Sequence, residues 1–72
     1  MNKQKLKQAE NDFKLMIKNS TEKEIEEVKN GNYGMTAFKW ANRYANPLEE
    51  NETYKKIYNI FYNYFEKLND KK

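Results

Sequence analysis

Tyr54, Ile57, Tyr58, Phe61, Tyr64, Phe65 and Leu68 recur three or four positions apart near the C-terminal end of this chain. Large apolar groups at that spacing trace one face of an α-helix. The stripe predicts a helix over about 52–68, inside a C-terminal helical segment that reaches back to about 48. Ile60 and Tyr62 fall outside the stripe. A helix apolar on more than one side either sits deep in a core or meets a second surface. Two Gly and one Pro leave too few turn residues for a competing β-sandwich.

That helix needs partners, and the chain has few other means of stabilisation. Its 72 residues make one domain at most. A chain this short buries only about 60% of the surface it exposes when unfolded. It has no Cys and no His, so disulfides, zinc sites and Cys or His nucleophiles are excluded. Four Phe, six Tyr and one Trp are what a core can be built from, and they argue against a wholly disordered chain.

The other elements read as three further helices. Leu6, Ala9, Phe13, Met16 and Ile17 form a stripe over Lys3 to Lys18, with Lys7, Gln8, Lys14 and Lys18 opposite. Thr21 and Glu24 have capping-box spacing and open a short helix over about 22–29, which carries Ile25 and Val28. Asn30-Gly31 suits a helix stop in the left-handed region. Gly31 to Met35 reads as a tight turn, and Thr36 as the cap of a third helix over 37–45 with Ala37, Trp40, Ala41 and Tyr44 inward. Asn46-Pro47 then opens the last helical segment, since Asn caps and Pro suits a first helical position. Residues 69–72 read as a solvated tail. The expected fold is therefore all-α: one four-helix domain over 1–72, with a helix-turn-helix-like unit at about 21–46.

Charge is banded. The net +3 divides into +3 over residues 1–19, −2 over 20–31, +2 over 32–46, −3 over 47–54 and +3 over 55–72. This is a mild excess, short of what binds nucleic acid by charge alone. No apolar run approaches the 7 or more residues of a signal core or the roughly 20 of a membrane span, so a cytoplasmic protein is expected. Enzyme chemistry finds no foothold. Glu22, Glu24, Glu26 and Glu27, and Glu49, Glu50 and Glu52, sit at expected helix starts, where carboxylates complement the dipole. Ser20 has no His to activate it. Gly31 and Gly34 are too few for a phosphate-cradling loop. No catalytic residue, metal ligand or cofactor is expected, nor a small-molecule substrate. Tyr54, Lys55, Lys56 and Tyr58 interleave aromatic and basic groups as single-strand binders do, but the tyrosines follow the core stripe.

Residues 21–50 carry a more specific pattern. Gly31 opens the turn, Thr36 lies five residues on, Trp40 four after that, and Asn46-Pro47 six and seven further. In this order and spacing the segment resembles the Cro/CI (lambda-repressor-like) helix-turn-helix domains of temperate phages. The resemblance puts Ala37 and Trp40 at the family's buried positions, and it covers under half the chain. The sequence departs from the pattern at Glu26 and Glu27, where the family usually has a small residue, and it lacks the family's usual Gln near each motif-helix start. The resemblance implies a small bacteriophage-type transcriptional regulator.

What the third helix turns outward decides how such a regulator would work. With Ala37, Trp40 and Tyr44 inward, Tyr33, Met35, Phe38, Lys39 and Asn42 face out. Reading bases calls for donors and acceptors, whereas exposed Met and aromatic groups mark protein interfaces. Acidic Glu22 and Glu26 would repel phosphates. Tyr33, Met35, Phe38 and Asn42, flanked by Glu22 and Glu26, are thus candidate contacts for a partner protein. On the resemblance that partner is a CI-type repressor, and the chain an antirepressor or modulator of its operator binding. One alternative is direct, Cro-like binding of operator DNA, with Lys39 and Arg43 on phosphates and Asn42 on a base. Another is a small helical inhibitor of a host or defence enzyme, or a bundle that dimerises through its apolar face. For Tyr33, Met35 and Phe38 the plain alternative is burial beneath the first helix.

Overall fold

A computed structural model of the chain describes residues 3–70. It has four helices and, among the described residues, no strand: α1 (Lys3–Asn19), α2 (Glu22–Asn30), α3 (Tyr33–Asn42) and α4 (Asn51–Asp70). At about 1.5 Å per residue α4 is roughly 30 Å long, most of the molecule's 35 Å long dimension. The other three helices all pack on it, as its many-sided apolar character requires.

The core runs along α4. Ile57, Phe61 and Phe65 are fully enclosed, and Phe13 of α1 and Trp40 of α3 reach in from either side. Phe61 touches three rings at once: Phe13 at 5.5 Å, Trp40 at 6.2 Å and Phe65 at 4.9 Å between centroids. Ala9, Ala37, Ala41 and Ala45 are the small residues that let the helices approach. Ile60 and Tyr62, the two groups off the stripe, are half-buried on opposite flanks. Ile60 shares a shallow groove with Leu6 of α1, and Tyr62 stacks near Tyr33 of α3. Two polar contacts fasten α1: Lys5 Nζ reaches both oxygens of Glu50 at 2.8 and 2.9 Å, and the Tyr44 hydroxyl donates to Asp12 Oδ2 at 2.9 Å.

The helix ends depart from expectation in instructive ways. The capping box holds: Thr21 Oγ1 accepts from the Glu24 N–H, and the Thr21 N–H donates back to Glu24. Gly31, however, does not use the left-handed region, because its φ is −91°. Its merit is size. A Cβ there would lie 3.2 Å from the Glu27 carbonyl oxygen. The turn is also shorter than the sequence suggests. Asn32, not Thr36, caps α3, accepting from the Met35 N–H at 3.2 Å. Helix α3 therefore begins at Tyr33 and ends at Asn42, earlier at both ends than the expected 37–45. Thr36 lies inside it, donating its hydroxyl to the Asn32 carbonyl. Asn46 caps only a single turn, accepting from the Leu48 and Glu49 N–H groups, and α4 proper starts at Asn51. At the other end α4 runs through Asp70, and Asn69 donates to the Tyr33 hydroxyl. The expected tail is thus helix as far as Asp70. Lys71 and Lys72 lie outside the described residues.

Candidate functional site

The side chains expected to face out from α3 divide once the structure is in hand. Trp40 is buried and Ala37 wholly so, while Met35 and Phe38 are 54% and 43% exposed. Helix α1 does not cover them: it packs on α4. Tyr33 is different. It is half-buried, its ring 5.1 Å from Tyr62 and 6.1 Å from Phe65. Asn42 is exposed, its amide donating to the Phe38 carbonyl within the helix.

Phe38 is not isolated on this surface. The Phe38 ring meets Tyr54 edge-on at 6.0 Å, Tyr54 neighbours Tyr58 at 6.2 Å, and Tyr58 stacks on Tyr62 at 5.6 Å. Tyr62 then closes on Tyr33. The result is a ladder of rings along the seam between α3 and α4. Gly34 faces the seam: a Cβ there would be in ordinary contact with the Tyr58 hydroxyl and the Tyr62 ring, at 3.5 and 3.8 Å. Burial raises the Tyr54 pKa. The neighbouring Tyr33 phenol, then the Glu66 carboxylate, raise that of Tyr62. Both phenols are therefore neutral at physiological pH, and the ladder can hydrogen-bond at its rim.

The expected acidic flank is elsewhere. Glu22 and Glu26 are exposed, but they line a shallow groove with Tyr64 and Leu68. Two positions along a helix is a rotation of about 200°, so Tyr64 lies nearly opposite Tyr62 on α4. Tyr33 and Phe38 are brought together with the tyrosines of α4, Met35 lies one turn before Phe38 on the outer side of α3, and Glu22 and Glu26 are elsewhere. Lys39 and Arg43 are exposed on the edge of α3 that faces α1 and α2, with the Arg43 guanidinium 5.5 Å from the centre of the Trp40 ring.

Tyr58 and Tyr62 are the site residues that sequence reasoning assigned elsewhere, Tyr58 to the core stripe and Tyr62 to an unplaced second surface. The four-residue spacing of Tyr54, Tyr58 and Tyr62 was the available signal. Among the described residues, no group of acidic side chains is arranged to hold a metal ion, and no helix is long and apolar enough to cross a membrane. The fold and its aromatic seam define a small all-α domain with an exposed apolar face. No family model, curated protein or solved structure matches the chain.

Proposed function

We propose that this protein is a regulator that works by gripping another protein through the α3–α4 seam. The observation that carries the reading is the exposure of Met35 and Phe38 beside the tyrosine ladder, with Trp40 buried. A contiguous face of Met, Phe and Tyr is the composition of an interface core, and on a small monomer it is costly to leave in water. The resemblance to phage repressor domains makes a CI-type repressor the partner to test first, with loss or change of its operator binding as the consequence. Contact falls to Met35, Phe38, Asn42, Tyr58 and the edge of Tyr33. The acidic residues of α2 are too far around the molecule to rim it.

Co-expression with such a repressor, followed by size-exclusion chromatography, tests this. Co-elution that disappears with Phe38→Glu and with Met35→Glu, both still helical by circular dichroism, is the expected result. Persistence of the complex in both variants would refute the assignment of the face.

Direct DNA binding is the second reading, and one feature favours it. Lys3, Lys7, Lys14 and Lys18 are all exposed and fall within about 60° of one another around α1 at 100° per residue. Such a row, with Lys39 and Arg43, could follow a phosphate backbone. Retardation of operator DNA by the protein alone, weakening steeply with salt, would establish it.

A further inference from the structure

A second feature lies on the other edge of α3, away from the seam. The C-terminal half of α1, α2 and α3 enclose a half-open cleft of about 330 Å³, floored by Phe61 and walled by Met16, Ile25, Val28 and Trp40. That volume is at the lower end of small-molecule sites, roughly 300–1,000 Å³. The cleft exists because α2 is loosely seated: none of its residues is buried, and Ile25 and Val28 are only half-covered.

Two polar features mark the cleft. The Trp40 indole N–H, on its wall, is buried without an acceptor, alone in this among the buried side-chain polar atoms of the described residues. The packing of α1, α2 and α3 around Trp40 thus leaves a polar group without its partner, as an underfilled region does. The charges around the opening are Lys39, Arg43 and Glu24. Glu24 is already engaged, its Oε1 accepting from the Thr21 hydroxyl and N–H. Those donors are neutral, so the carboxylate keeps its charge, and two cations against it leave the rim net cationic by one charge.

We propose that this cleft is a binding site for a small apolar carboxylate, a short fatty acid or an aromatic acid. The hydrocarbon body displaces water from Met16, Ile25, Val28 and Phe61. The carboxylate meets Lys39 and Arg43, and the Trp40 ring packs against the hydrocarbon body. A guanidinium can pair with a carboxylate through two parallel hydrogen bonds. Occupancy would pin α2 against α3. The site is independent of the α3–α4 seam, and Phe38→Glu leaves it intact.

The chain's single Trp provides the readout. Uniformly ¹⁵N-labelled protein is titrated with sodium octanoate below its micelle threshold, and separately with 1-octanol, while the indole N–H resonance is followed. A saturable shift is expected with octanoate, at an affinity about tenfold above that for octanol, the worth of one charge-assisted hydrogen bond. Lys39→Met with Arg43→Met should erase that margin. Ile25→Phe or Val28→Phe, either of which fills the cleft, should abolish the response. An indole resonance that does not move with octanoate overturns the proposal. So does an equal response to the two ligands, which would mark a socket for a partner's apolar side chain. A shift that follows protein concentration alone would identify a second copy as the occupant and likewise overturn it.

Discussion

Phe61→Ala and Phe38→Ala, compared side by side, test the inward and outward placement on which the docking face rests. Phe61 is 2% exposed and packs against Phe13, Trp40 and Phe65. Its truncation leaves a cavity ringed by aromatic groups that cannot collapse, and costs about 3–5 kcal/mol. A chain of 72 residues has about 0.05–0.15 kcal/mol per residue to lose, roughly 4–11 kcal/mol in all. The variant should therefore be at the edge of unfolding, its thermal midpoint lowered by at least about 12 °C at about 4–8 °C per kcal/mol. Phe38 is 43% exposed. Truncating it forfeits a little over half of a full Phe burial, about 1 kcal/mol, and part of its edge contact with Tyr54. The expected cost is about 1–2 kcal/mol, with the helix content kept. Urea unfolding followed by far-ultraviolet circular dichroism, with an unchanged denaturant slope, gives both numbers. Equal losses would mean that Phe38 is core, and the partner-binding reading would fail with it.

What the sequence disclosed, and what it hid, follows from how local each cause is. The stripes of α1 and α4 were legible because helical burial repeats every few residues, and the Thr21–Glu24 box because its two partners are three residues apart. The start of α3 was not. Gly34 so soon after Gly31 looks like turn chemistry, but it lies inside α3, close to the Asn32 cap and facing Tyr58 and Tyr62, which lie more than twenty positions away in the chain. The outward face of Met35 and Phe38 could be read from the period once Trp40 was placed inside, even though the helix begins four residues before its expected start, because residue spacing and not the starting point fixes which side chains share a face. The acidic flank was misplaced for the converse reason. Which side of α4 receives α2 depends on the path of the chain through Gly31 and Asn32, and charge counting carries no information about that path. The Trp40 cleft was invisible for a third reason: an underfilled space is a property of several helices together, and nothing in Ile25 or Val28 alone announces it.

Four further outcomes are expected. Thr21→Ala removes the hydroxyl half of the capping box, leaving the backbone N–H on Glu24, and should lower stability by about 1 kcal/mol in urea unfolding, with helicity lost from α2 first in amide exchange. Gly34→Val drives methyls against the Asn32 carboxamide, 3.3 Å from a Cβ, and the Tyr58 hydroxyl; a loss of about 1–3 kcal/mol is expected, with the Tyr58 and Tyr62 ring resonances displaced. The hydrogen bond from Lys5 holds the Glu50 carboxyl below the ordinary range. That contact stabilises the fold above the unfolded pKa and is lost as pH falls through the folded value, so Lys5→Met should flatten the acid limb of a stability profile. The alkaline limb draws on Tyr54, Tyr62 and, most strongly, Tyr44, whose pKa is pushed up to about 12, by burial first and then by the hydrogen bond and charge of Asp12, against the pull of Arg43. Below a pH of about 10 the phenol is neutral in both states and its contribution is complete. Between there and about 12 the unfolded chain ionises first, so stability must fall with rising pH. Tyr44→Phe should remove that part of the slope, and one late-titrating tyrosine should vanish from the tyrosinate absorbance. A slope unchanged in Tyr44→Phe would mean that the Asp12–Tyr44 contact does not hold α1 in place.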